Sequence, residues 1–179
     1  DANGTQAERI RKELLAAVRA KANIRVLSDA MCSGLFADNW LPVIRGNRLY
    51  KLRAKSVVVA TGAIEQPSVF RNNDLPGVMF ADAAQRLIRL YGVKPGNRAV
   101  VLAANDAAYA AALDLMEVGI AVSAIVDLRA QPKQSDLTRA IARAGIAVLA
   151  GHAVKEAVAG PHKMGITGVV AAPIVGEGE

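Results

Sequence analysis

Apolar residues change their period twice along this chain. Over residues 6–21, Ile10, Leu14, Leu15 and Val18 recur at helical spacing, and the pattern stops near Ala22 and Asn23. Residues 24–27 then read as a short strand. Three further runs, 31–37, 41–45 and 48–53, alternate as strands do, with turn formers between them at Asp38-Asn39 and Gly46-Asn47. This rhythm predicts an antiparallel meander. It leads into a β-branched run, 57–59, that reads as a buried strand stopping at Ala60, Thr61, Gly62 and Ala63. Residues 72–77 read as a loop. Residues 81–91 read as a helix with Ala84, Leu87, Ile88 and Tyr91 on one face.

The second half alternates strand with helix. Residues 99–103 form an apolar strand, and 107–118 an Ala-rich helix ended by Gly119. A strand over 121–126 closes on Asp127. A helix over 137–144 stops at Gly145, and a strand follows at 146–149. From His152 onward a weak alternation predicts a hairpin. Strands alternating with helices of this length predict βαβ units and a parallel sheet. The expected fold is therefore α/β: a Rossmann-like, three-layer parallel-sheet domain over 66–179, C-terminally incomplete. A helix, a β-meander and the 57–63 stretch, residues 1–65, precede it as part of a first, incomplete dinucleotide-binding domain. A soft composition boundary falls at Lys94-Pro95-Gly96.

Composition narrows the function classes. The 179 residues are 53% hydrophobic and only 4% aromatic, an α/β profile large enough for one real core. The net charge is +6, but the basic residues are spread over helix faces without interleaved aromatics. That argues against a nucleic-acid surface and for a solvated face, a face for a partner protein, or contact with nucleotide phosphates. The single cysteine, Cys32, allows no intrachain disulfide and fits a reducing, cytoplasmic setting; its apolar neighbours suggest a small buried residue. The sequence contains no apolar run long enough to span a membrane. The N-terminus shows no signal-peptide pattern, and the absence of an initiator Met suggests a processed or excised piece.

The stretch at Ala60, Thr61, Gly62 and Ala63 carries the first chemical signal. Small residues at a strand's carboxyl end let amide N–H groups approach a flat or anionic ligand. The pattern resembles the Ala-Thr-Gly motif of two-dinucleotide-domain flavoproteins of the thioredoxin reductase-like group, where it lies against the bound dinucleotide. The longer run through Asn72-Asn73-Asp74-Leu75-Pro76-Gly77-Val78-Met79 and Tyr91-Gly92-Val93-Lys94-Pro95-Gly96 is more specific. It resembles the α subunit of heterotetrameric sarcosine oxidase and related cyanide synthase, opine oxidase and hydroxyproline dehydrogenase subunits. The resemblance runs from about Asn23 to about Asp127.

A second nucleotide question arises at 98–127. A Rossmann turn needs Gly-x-Gly-x-x-Gly or Ala and an acid about 20 residues further on. Here Ala103, Asn105 and Ala108 hold the three fingerprint places, and Asp127 the place of the ribose-binding acid. Two glycines are missing. Asn105 could replace the turn's left-handed geometry but sets a side chain where phosphate should lie. Asp106 adds a negative charge at a helix start, good for the helix and repulsive to phosphate. This favours a Rossmann unit that has lost its nucleotide, with Ala108 keeping the strand–helix packing.

Other chemistry is thin. The stretch 78–84 has no Cys-x-x-Cys, which excludes disulfide reductase chemistry. His152 and His162 have no ligand-spaced partners, so no metal site is expected. No nucleophile motif is present. Glu65 is a loop carboxylate that could bond a ribose or a neighbouring backbone, and Trp40 is expected at a sheet edge. No catalytic acid, base or nucleophile is identified.

The resemblance implies a subunit supporting flavin-dependent oxidation of a secondary or N-methyl amino acid. It implies NAD held mainly by an upstream Gly-rich turn that these residues lack, FMN or FAD in the complex, and an amine substrate on a partner subunit. Other subunits of a hetero-oligomeric oxidase are the implied partners. Two alternatives stand beside it: a standalone NAD(P)/FAD-dependent oxidoreductase without redox cysteines, and a non-binding Rossmann domain that docks partner subunits.

Overall fold

The computed structural model describes residues 2–176, with side chains from residue 6 onward. Asp1 and residues 177–179 lie outside the described residues, and with them the expectations about a leader and a missing continuation. The chain separates into two compact units, Asp1–Gly62 and Ala63–Glu179.

The first unit holds helix α1 (Ala2–Arg19) and strands β1 (Met31–Cys32), β2 (Trp40–Arg45) and β3 (Arg48–Arg53) in an antiparallel sheet of order β1-β2-β3. Alternation in β2 and β3 sets the register, Val43 opposite Tyr50, and Gly46 turns the hairpin at φ 54°. Burial is shallow. Pro42 and Val43 are buried, whereas Ile10 and Leu14 of α1 stay exposed. Trp40 begins the central strand, with its ring 5.2 Å from that of Phe36.

Four expectations fail in this unit. Residues 24–27 form no strand, and the run 31–37 is a strand only at Met31 and Cys32 before a turn at Ala37–Asn39. Asp38 and Asn39 there take left-handed backbone, φ 57° and 52°, which breaks a ladder. Residues 57–59 belong to no strand, with Val58 91% exposed. A β-branched run becomes a strand only where a neighbour supplies ladder partners, and none of the described residues does so. Cys32 is likewise exposed rather than buried, because its two-residue strand lies at the sheet edge.

The second unit is the α/β body. Helix α2 (Ala81–Tyr91) precedes β4 (Arg98–Ala103), α3 (Ala107–Glu117), β5 (Ala121–Asp127), α4 (Asp136–Arg143) and β6 (Ala147–Ala150). Strands β4, β5 and β6 are parallel, in the order β4-β5-β6. A hairpin, β7 (His152–Ala159) and β8 (Ile166–Pro173), completes it.

Local chemistry explains the element ends. Gly92 ends α2 in left-handed backbone, φ 62°. Ser135 and Thr138 form a reciprocal capping box on α4. The Ala-rich face of α3 lets it lie close on the sheet, where Ala108, Ala111 and Ala112 are buried. Ile125 of β5 joins Tyr109, Leu115 and Ile141 in the helix-side core. Its neighbour Val126 is also buried, on the opposite face, where β7 packs against β5 and Ala157 is fully buried. Helices, sheet and hairpin thus make three layers.

The loop 72–77 is tied to the hairpin. Asn72, at φ 63°, donates from Nδ2 to the Ala157 carbonyl at 2.9 Å, and the Arg71 and Ala157 backbones bond at 2.9 Å. Gly77, at φ 101°, leaves room for Ile166, which would lie 3.4 Å from an added Cβ. Among the described residues, no helix is long and apolar enough to cross a membrane.

Candidate functional site

The parallel register sets Ala103 beside Asp127, and Asp127 beside Ala150, at the carboxyl ends of the three strands. This is where open α/β sheets bind ligands. Ala103, Asn105 and Asp127 therefore meet at one end of the sheet, around the start of α3.

Each of the three is already engaged. Ala103 is fully buried, and its carbonyl accepts from the Leu128 N–H at 2.9 Å. Asn105 does not take the left-handed backbone. Instead its Oδ1 accepts from the Ala107 N–H at 2.9 Å, so the side chain covers an amide at the helix start that a phosphate would use.

Asp127 is fully buried. Its Oδ1 accepts from the Arg129 backbone N–H at 2.9 Å and from Arg129 Nε at 3.0 Å. Its Oδ2 accepts from the Tyr109 hydroxyl at 2.7 Å and from Arg129 Nη2 at 2.8 Å. A carboxylate offers about four lone-pair positions, and these four donors fill them. Nothing is left for a ribose diol.

Arg129 also reaches across the turn: Nη1 donates to Asp106 Oδ1 at 2.8 Å. The guanidinium carbon lies 5.9 Å from the centre of the Tyr109 ring. One cation is thus shared by two carboxylates, in part-buried surroundings where the interaction is strong.

The ionisation states follow. Burial alone would raise the Asp127 carboxyl, but hydrogen bonds from Arg129 and Tyr109 outweigh it and hold it below the usual carboxylate value. Burial, then the bond to Asp127, pushes the Tyr109 hydroxyl up to about 12. The hydrogen bonds to Asp127 and Asp106 hold Arg129 firmly cationic. The network is a neutral phenol, two carboxylates and one guanidinium.

Protein groups already stand at this turn where a dinucleotide would lie. The pyrophosphate would meet the Asn105 side chain and the Asp106 carboxylate, and the ribose acid has no free acceptor. Sequence reasoning missed Tyr109 and Arg129. Their signals were a tyrosine inside an Ala-rich helix and an arginine two residues past a strand-ending acid.

The other nominated residues belong to the first unit and the start of the second. Ala60, Thr61, Gly62 and Ala63 are exposed and lie outside any helix or strand. Gly62 has φ 79°, and a Cβ built there meets nothing within 4 Å. Glu65 has a structural partner: its Oε2 accepts from the Asp82 N–H at 2.9 Å, at the start of α2. Among the described residues, no group of three or more His, Cys, Asp or Glu could hold a metal ion. His152 Nδ1 lies 2.8 Å from the Ala150 carbonyl.

No family model matches the chain. Among curated proteins, it is 40% identical over 109 residues to the alpha subunit of sarcosine oxidase from Corynebacterium sp. (strain P-1), covering 61% of this chain and 11% of that protein. It is 44% identical over 89 residues to the sarcosine oxidase alpha subunit of Rhizobium meliloti (strain 1021), covering 50% of this chain and 9% of that protein. It is 31% identical over 88 residues to an opine oxidase subunit of Agrobacterium tumefaciens (strain Ach5), covering 49% of this chain and 18% of that protein. The chain thus spans about a tenth of the length of the alpha subunits it matches. Among solved structures, an NAD-dependent persulfide reductase from A. fulgidus superposes with TM-score 0.58 at 16% identity, over 88% of this chain and 30% of that one. That likeness shows the fold alone. In sequence this chain resembles sarcosine oxidase alpha subunits and an opine oxidase subunit, and in fold it is a Rossmann-type α/β protein.

Proposed function

We propose that these residues are part of an oxidoreductase subunit of the sarcosine oxidase alpha type, and that their Rossmann-like unit is a structural module closed to nucleotide. The observation that carries the closed reading is the Arg129 bridge between Asp127 and Asp106. It fills with protein charge the place a dinucleotide would take.

In this reading residues 1–65 belong to a first dinucleotide-binding domain and 66–179 to the second. NAD is held by the first domain, through a Gly-rich turn elsewhere in the longer polypeptide, with Ala60, Thr61, Gly62 and Ala63 lending small-residue backbone beside it. Partner subunits of a cytoplasmic hetero-oligomer carry the amine substrate, a secondary or N-methyl amino acid, and FMN or FAD serves its oxidation. These 179 residues alone are then inactive. Sequence identity to the alpha subunits supports the oxidoreductase reading.

Isothermal titration of this chain with NAD, FAD and FMN separately tests the closed module. Binding no tighter than millimolar is expected for all three. The glycine pair Ala103→Gly with Asn105→Gly should not restore NAD affinity, because Arg129 still spans the turn. Micromolar NAD binding by either protein would overturn the reading.

A further inference from the structure

Charge is not shared evenly between the two units. Residues 1–62 hold 11 of the 22 Lys and Arg but only 5 of the 16 Asp and Glu, so they carry the whole net charge of +6. Their cations fall into two classes. Several on α1 have acids from the same helix: Arg9 lies 3.6 Å from Glu13, and Arg11 and Lys12 share Glu8. Arg53 of β3 has Asp38 at 3.8 Å. Arg25, Arg45 and Arg48, by contrast, are exposed and have no acidic partner among the described residues.

The strand register gathers these three. Arg45 and Arg48 stand directly opposite each other across the β2–β3 ladder, on either side of the Gly46-Asn47 turn. Directly opposed residues have Cβ atoms about 5 Å apart, and like charges there destabilise the pair. Val43 and Tyr50 form the next row on the same face, about 7 Å further along the strands. Arg25 joins that row, with its guanidinium carbon 5.8 Å from the centre of the Tyr50 ring. Val43 is buried and Tyr50 half-buried, so the apolar row is anchored while the three guanidiniums face outward.

This arrangement costs folding stability unless an anion arrives from elsewhere. Guanidinium forks match carboxylates, each able to take two parallel hydrogen bonds. Nucleic acid fits less well. Its bases stack on open aromatic faces, whereas the Tyr50 ring is half-buried and already lies against Arg25. A strand of phosphates also needs a longer cationic track than two rows of one hairpin.

We propose that this face of the β2–β3 hairpin docks an acidic segment of a partner polypeptide, whose carboxylates pair with Arg45, Arg48 and Arg25. The docking is independent of whether the turn at 103–108 is closed to nucleotide.

Fluorescence anisotropy of a labelled oligoglutamate peptide, titrated with this chain at low salt, tests it. Saturable binding is expected, and added salt should weaken it. Arg45→Glu separates docking from folding. It sets a glutamate opposite Arg48, so the urea midpoint should rise while peptide affinity falls on the order of 10-fold. Arg9→Gln with Lys12→Gln makes the same change in net charge on α1 and should alter affinity by less than about 2-fold. The absence of saturable peptide binding would overturn the proposal. Equal losses in the two variants would also overturn it, because net charge would then be the cause. So would tighter binding of oligothymidylate than of the peptide, abolished by Arg45→Glu, which would make a nucleic acid the occupant.

Discussion

Arg129 and Asp106 are joined across the strand–helix turn, Nη1 to Oδ1 at 2.8 Å, while the same guanidinium holds the buried Asp127. The acid at the end of β5 is therefore held by protein donors on both of its oxygens. Its cation comes from two residues further along the chain.

Removing that cation leaves a fully buried carboxylate with only Tyr109 and one backbone amide. Arg129→Ala should lower unfolding stability by about 3 kcal/mol, near the low end for breaking a buried pair, because the Arg129 side chain is itself partly exposed. Arg129→Lys should recover only part of this, since a point ammonium cannot reproduce the forked contacts to both carboxylates. Urea unfolding of the three proteins checks the order, and an unchanged midpoint for Arg129→Ala would contradict it.

The same cluster sets two pH limits. Asp127 is held below its ordinary value in the folded chain. Its contribution is therefore present above the unfolded value, about 3.9, and is lost as pH falls through the lower folded value. Tyr109 moves the other way. Its folded value is about 12, so its contribution is complete below the unfolded value, about 10, and is lost as pH rises toward the folded one. The difference in tyrosinate absorbance between this chain and Tyr109→Phe should have its midpoint near 12. A midpoint near 10, the free-phenol value, would show that the hydroxyl is not buried against Asp127.

Asn72 binds the loop 72–77 to the hairpin. Asn72→Ala removes the bond to Ala157 and places an alanine at φ 63°, for a combined cost of about 2 kcal/mol. Asn72→Gly relieves the backbone and should cost about half as much. Urea midpoints that do not separate the two variants would show that the backbone conformation contributes nothing.

Much of the fold was legible because it rests on local periods. Strand β3 and helix α2 occupy the residues their patterns predicted, and the Ala-rich run became a close-packed α3. The place of Asp127 at a strand end, beside the turn at 103–108, could also be read by counting. The role of that acid could not. Counting gives proximity to a turn, whereas the fate of a carboxylate depends on which donors reach it.

Residue order alone was enough for the helices, the strand–helix alternation of the α/β body and the absence of a glycine fingerprint, since each depends on neighbours within a few residues or on residue identity. The remainder needed the folded chain. Residues 57–59 have strand propensity but no described partner, because a ladder needs a second chain segment at hydrogen-bonding distance. Cys32 is exposed because burial depends on what packs above a residue, not on its neighbours' hydrophobicity. Only the folded register brings Tyr109, Asp106 and Arg129 around Asp127, where four donor groups fill one buried carboxylate.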